Sequence, residues 1–159
     1  MSLYLADAAA TEALAIQMRR LLPTDTSGWI VLLDGELGAG KSTFARALLR
    51  AMGHSGPVPS PTYTLVEPYY LSGNNIYHID LYRIVGDDEL RYLGWAELDD
   101  GLRLVEWPDR APGLAEQADL RIQLAYQGAG RAAAIEGLSA RGTELAGRLK
   151  QLNLSQQED

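Results

Sequence analysis

Apolar residues along this chain change their spacing repeatedly, and each change marks an element. From Asp7 to Leu22 they recur as Ala10, Leu14, Met18, Leu21 and Leu22, the rhythm of an amphipathic helix with Asp7 as its N-cap. Pro23 to Gly28 is polar and ends that helix. Trp29-Ile30-Val31-Leu32-Leu33 is a continuous apolar, β-prone run, which predicts a strand covered on both faces. Thr43 to Met52 returns to a helical period and closes at Gly53. Between Gly53 and Pro61, two glycines and three prolines exclude a helix or strand interior. Leu65–Tyr70 and Ile76–Ile79 flank the turn signal Ser72-Gly73-Asn74-Asn75 and predict a hairpin. Asp87 to Glu97 predicts a short helix weakened by Gly94, and Leu102–Val105 a further strand. Leu120, Ile122 and Leu124 alternate, Gln127–Gly130 turns, and Arg131–Ile135 returns. Thr143 to Leu152 predicts a closing helix, with a polar tail from Asn153 expected to fray.

One stretch gives this alternation a chemical purpose. Gly35-Glu36-Leu37-Gly38-Ala39-Gly40-Lys41-Ser42 matches the phosphate-binding pattern G-x-x-x-x-G-K-[ST], set between a strand and a helix as that pattern requires. Its glycines let backbone N–H groups close on phosphate oxygens, and the helix that follows aims its positive end at the same anion. Lys41 is expected to reach the β and γ phosphates, and the Ser42 hydroxyl to ligate Mg²⁺. The fold class expected is therefore α/β and P-loop NTPase-like, a central mostly parallel or mixed sheet flanked by helices. Residues 1–152 read as one domain and 153–159 as a disordered polar tail.

Downstream residues fit the same chemistry. Ser60-Pro61-Thr62-Tyr63-Thr64 puts hydroxyls on a loop leading into a strand, a pattern suited to a switch ordered by a γ-phosphate and its cation. Asp80 and Glu106 each end a strand, and ligands in open α/β sheets sit beyond the carboxyl ends of strands. At least one of the two is expected to serve the metal; the residues alone leave open which. His78 reads as a side chain packed in its strand rather than a general base, and Thr11 and Trp107, taken alone, carry no assigned role.

Composition narrows the classes. No apolar run approaches the ~20 residues of a membrane span, and the amino terminus lacks a basic start, so a cytoplasmic protein without membrane association is expected. The absence of cysteine excludes thiol catalysis and disulfides. With a net charge of −7 and no basic cluster interleaved with aromatics, autonomous RNA binding is not expected. A GTPase would need D-x-x-G and N-K-x-D; Asp80-Leu81-Tyr82-Arg83 lacks the glycine and N-K-x-D is absent. A compact kinase for a small-molecule acceptor remains as the alternative to a small regulatory ATPase.

Four blocks together resemble the TsaE (YjeE) family: Gly35 to Phe44, Ser60-Pro61-Thr62-Tyr63-Thr64-Leu65, His78-Ile79-Asp80-Leu81-Tyr82-Arg83 and Val105-Glu106-Trp107. The likeness runs over nearly the whole chain, with Ser42 where that family usually has Thr and Glu36 where Asp is common. It implies a weak, Mg²⁺-dependent ATPase supporting threonylcarbamoylation of the adenosine beside the tRNA anticodon. It implies further that the enzyme works with the TsaD–TsaB pair, tRNA being met only through those partners. By the same resemblance Gly38, Ala39, Gly40, Lys41, Ser42 and Thr43 cradle the phosphates of ATP, while Ser42 and Glu106 hold Mg²⁺. Asp80 becomes the acid near the γ-phosphate, Thr62 the switch hydroxyl, and Thr11, Trp107 and Arg131 neighbours of the nucleotide. Asp80, Thr62 and Lys41 are then the catalytic candidates.

Overall fold

Seven strands and three α-helices arise from these periodicities in the computed structural model, which describes residues 2–157. In chain order they are β1 (Ser2–Leu5), α1 (Ala8–Leu21), β2 (Ile30–Gly35), α2 (Lys41–Ala51), β3 (Val66–Leu71) and β4 (Asn74–Asp80). They continue with β5 (Gly101–Glu106), β6 (Leu120–Gln127), β7 (Gly130–Gly137) and α3 (Ala140–Gln157). The strands form one mixed sheet in the order β1-β7-β6-β2-β5-β4-β3. Its centre, β6-β2-β5-β4, is parallel, and the two outer flanks are antiparallel. This is the α/β class expected from the sequence.

The apolar run of β2 is continuous because parallel neighbours pair with it on both edges and both its faces are covered. Alternate side chains then serve opposite cores. Val31 and Leu33 join Leu14, Met18, Phe44, Leu48 and Leu149 under the three helices, whereas Ile30 and Leu32 join Ile79, Val105, Trp95 and Leu114 on the other face. Phe44, fully buried in α2, contributes ~1.5–3 kcal/mol of apolar burial and clamps the start of that helix to the sheet. The second face is roofed by short 3₁₀ segments rather than α-helices. Among the described residues no helix is long and apolar enough to cross a membrane.

Three expectations are corrected. The segment Asp87–Glu97 is not an α-helix: 3₁₀ segments Asp87–Leu93 and Trp95–Asp100 pivot on Gly94, whose φ of +70° lies in the left-handed region. Strand β1 was not anticipated; its exposed/buried alternation is only four residues long, and pairing with β7 is what makes it a strand. The closing helix begins at Ala140, and the polar segment expected to fray from Asn153 is helical through Gln157. There the Asn153 amide donates to Gln17 Oε1 on α1 at 2.7 Å and to the Leu149 carbonyl at 2.8 Å. Glu158 and Asp159 lie outside the described residues.

A buried carboxylate ties the start of β6 to α3. Asp119 accepts from the Ile30 N–H at 2.9 Å, the Ser139 hydroxyl at 2.7 Å and the Arg141 guanidinium at 2.8 Å. Burial alone would raise the pKa of this carboxyl; those hydrogen bonds, Arg141 first, hold it below its ordinary value.

Candidate functional site

The loop between β2 and α2 turns on glycines. Gly40, φ +114°, is the residue from which α2 starts, so the first N–H groups of the helix open onto the loop's concave side. Gly38, φ +81°, lies against the β6–β7 hairpin: a Cβ there would come within 2.5 Å of the Tyr126 hydroxyl oxygen. Turning N–H groups inward turns carbonyls outward, where they need donors of their own. The Tyr126 hydroxyl donates to Leu37 O at 2.8 Å, and Arg131 Nη2 donates to Gly38 O at 3.1 Å. The Arg131 guanidinium also lies 4.2 Å from the centre of the Tyr126 ring. The hairpin thus braces the outer side of the loop. Tyr126 escaped the sequence reading, because nothing near it in the chain marks it; Arg131 was noticed only by resemblance.

Lys41, the first residue of α2, is 5% exposed. Its ammonium donates to the Gly35 carbonyl and lies 3.6 Å from the centre of the Trp107 ring. Trp107 holds a left-handed backbone, φ +58°, at the first residue after β5, a costly conformation for a bulky residue. Burial pushes the Lys41 ammonium pKa down, opposed in part by Glu106, Asp34, Asp80 and Asp109. A buried cation whose donors are shared between one carbonyl and one ring is well placed to take an anion.

Two acids face it from the sheet. Asp80 and Glu106 are register partners at the carboxyl ends of the parallel strands β4 and β5, each 4% exposed. Both Asp80 oxygens are engaged: Oδ1 by the Tyr82 N–H at 2.8 Å, Oδ2 by the Thr62 hydroxyl at 3.0 Å. Thr62 in turn lies 2.8 Å from the Ser60 hydroxyl. The loop carrying them reaches β3 through Leu65, whose φ is +70°. Its carbonyl accepts the Asp80 N–H at 2.9 Å. The hydroxyl-rich segment is therefore folded onto the acid at the end of β4.

The residues singled out from the sequence line two adjoining cavities. One, of about 230 Å³, is walled by Gly38, Gly40, Lys41, Ser42, Thr43, Thr62, Asp80, Glu106 and Trp107. The other, of about 190 Å³, shares Gly38, Gly40 and Thr43, and adds Ala39, Thr11 and Arg131. All twelve candidates are brought together. Thr11 is buried on α1, its methyl 3.7 Å from where a Gly40 Cβ would stand. His54 stays outside both cavities.

The donor set suits a hard divalent cation. Ser42 offers a hydroxyl and Glu106 a carboxylate in one cavity, and among the described residues no three of His, Asp and Glu gather into an all-protein cage. Mg²⁺ is commonly held in this way, by one or two protein oxygens with waters and substrate phosphates completing an octahedron.

Known proteins are similar to this chain in sequence and in fold. A family model described as Threonylcarbamoyl adenosine biosynthesis protein TsaE matches residues 5–133. The tRNA threonylcarbamoyladenosine biosynthesis protein TsaE of Synechocystis is 40% identical over 123 residues, 74% of this chain and 76% of that one. The protein of the same name from Haemophilus influenzae is 43% identical over 99 residues. That match spans 61% of this chain and 63% of the Haemophilus protein, under two thirds of its length. A crystal structure of Bacillus subtilis YdiB superposes with a TM-score of 0.71 over 96% of this chain and 95% of that one. At 24% identity that likeness speaks for the fold alone.

Proposed function

This chain belongs to the TsaE family, and from that premise we propose that it binds and hydrolyses ATP as an accessory protein in threonylcarbamoyladenosine modification of tRNA, acting on a TsaD–TsaB complex. The observation that carries the reading is the convergence of the phosphate-loop pattern, Lys41, Ser42, Thr62, Asp80 and Glu106 on one cavity.

Each side chain has a task there. The loop from Gly38 to Thr43 and the start of α2 hold the phosphates, the Ala39 N–H closing the loop onto the Glu36 carbonyl at 3.0 Å, and Lys41 exchanges the Gly35 carbonyl for a phosphate oxygen. Ser42 and Glu106 would hold Mg²⁺, which when bound neutralises charge on the β and γ phosphates. Asp80, held on both oxygens, orients the attacking water, and Thr62 couples the loop to that acid. The engagement of Asp80 by protein donors favours Glu106 as the direct metal ligand. Thr11 and Arg131 line the adjoining cavity, where the rest of the nucleotide would lie. The ATPase is weak alone, since the Thr62 loop, folded onto Asp80, must rearrange around the nucleotide, and partner proteins raise it. A net charge of −7 supports contact with tRNA through partners only.

The test is reconstituted tRNA threonylcarbamoylation with TsaD and TsaB, with and without this chain and with Lys41→Ala. Modification should require the chain and fail with the variant. Modification that proceeds equally without the chain overturns the reading. Stoichiometric phosphorylation of a small acceptor would favour the kinase alternative.

A further inference from the structure

We propose that His78 is a positioning residue that fixes the Glu106 carboxylate for its cation. This rests on the reading of Glu106 as a metal ligand. The register of β4 and β5 stacks three pairs on the helix-covered face: Ile76 beside Leu102, His78 beside Leu104, and Asp80 beside Glu106. Ile76, Leu102 and Leu104 belong to the main core. His78 is the one polar residue in the lower two layers, directly beneath the acids, and is 2% exposed. An apolar side chain would satisfy that layer, so packing alone does not account for an imidazole there.

Its contact does account for it. His78 Nε2 lies 2.6 Å from Glu106 Oε2, with both side chains buried. A carboxylate offered to a cation has only acceptors, so the Nε2–H donates. Nδ1 is buried with no hydrogen-bond partner in the structure, so the imidazole makes this single bond. Glu106 lines the cavity and His78 does not: the ring stands behind the carboxylate. The two acids are thus held by different means. Asp80 is pinned by a backbone N–H and a hydroxyl. Glu106, with a longer side chain, is held at its head by His78, an arrangement that fixes the orientation of a ligating group.

The test separates holding the carboxylate from filling the core. Mn²⁺ affinity of the ADP-bound protein is measured by electron paramagnetic resonance for wild type, His78→Gln and His78→Met. Gln keeps a donor near the Nε2 position, and Met has similar bulk without one. Glu106→Gln is the reference, and ADP affinity in chelator the control. The Met variant should bind Mn²⁺ roughly 10–100-fold more weakly, the Gln variant should recover much of that loss, and metal-free ADP affinity should stay level. Wild-type Mn²⁺ affinity in the Met variant, with Glu106→Gln impaired, overturns the positioning role and leaves the metal-ligand reading standing. Unimpaired Glu106→Gln removes that reading and this proposal with it. If the Met variant does not fold, nitrogen-15 spectra of the wild-type imidazole decide: an Nε2–H tautomer supports the proposal and an Nδ1–H tautomer overturns it.

Discussion

Gly38→Ala probes the brace on the phosphate loop. The φ of +81° costs an L-residue about 1–2 kcal/mol. The added methyl also meets the Tyr126 hydroxyl at 2.5 Å. That oxygen is the far end of a side chain, so it swings away and surrenders its bond to Leu37 O, a net loss of about 1 kcal/mol. The sum, about 2–3 kcal/mol, corresponds to roughly 30–150-fold in any equilibrium that depends on this loop shape. Tyr126→Phe alone forfeits only the hydrogen bond, about fivefold. In the double variant the hydroxyl is already gone, and the next ring atom, Tyr126 Cζ, lies 3.8 Å from the new Cβ, an ordinary contact. Tyr126→Phe should therefore add nothing to Gly38→Ala, a coupling of about 1 kcal/mol. Urea unfolding and binding of a fluorescent ADP read the cycle independently. Strict additivity of the two substitutions, or a neutral Gly38→Ala, would refute the reasoning.

Three further outcomes are expected. Lys41→Met should abolish ATP uptake while leaving the urea midpoint unchanged or raised, because burial disfavours the ammonium it removes; a stability loss above ~1 kcal/mol would assign Lys41 to the fold instead. Thr62→Val should cut phosphate release by at least about tenfold, the worth of one hydrogen bond to a carboxylate, and Thr62→Ser should restore it; equal melting losses in both would make the hydroxyl structural. Asp119 has a lowered folded pKa, so its contribution is full above pH ~4 and is lost as pH falls through the folded value. Asp119→Asn should cost about 2–3 kcal/mol at neutral pH, less than a fully buried pair because Arg141 is half exposed, and should flatten the acid limb of unfolding; an unchanged acid limb would count against the network.

How much of this was legible in the chain depends on how local each feature is. The phosphate loop, its strand and its helix were readable because their backbone conformations are set by neighbours: glycines where φ is positive, an apolar run, a helical period. Asp80 and Glu106 were readable as strand-end acids because a short strand-forming run, Ile76–Ile79 or Leu102–Val105, stops just before each. The segment Asp87–Glu97 was misread because a left-handed glycine and the demands of the second core select 3₁₀ turns over a helix of similar composition.

What only the folded chain decides is partnership. Tyr126 meets Leu37 across 89 positions, Arg131 meets Gly38 across 93, and His78 meets Glu106 across 28. Strand β1 exists through β7 at the other end of the sequence. Local spacing encodes the dihedral angles of contiguous residues. Which side chain stands behind a carboxylate, or which hydroxyl meets a loop carbonyl, depends on the order and register of the sheet, and a shift of one residue in that register would turn every such side chain to the opposite face.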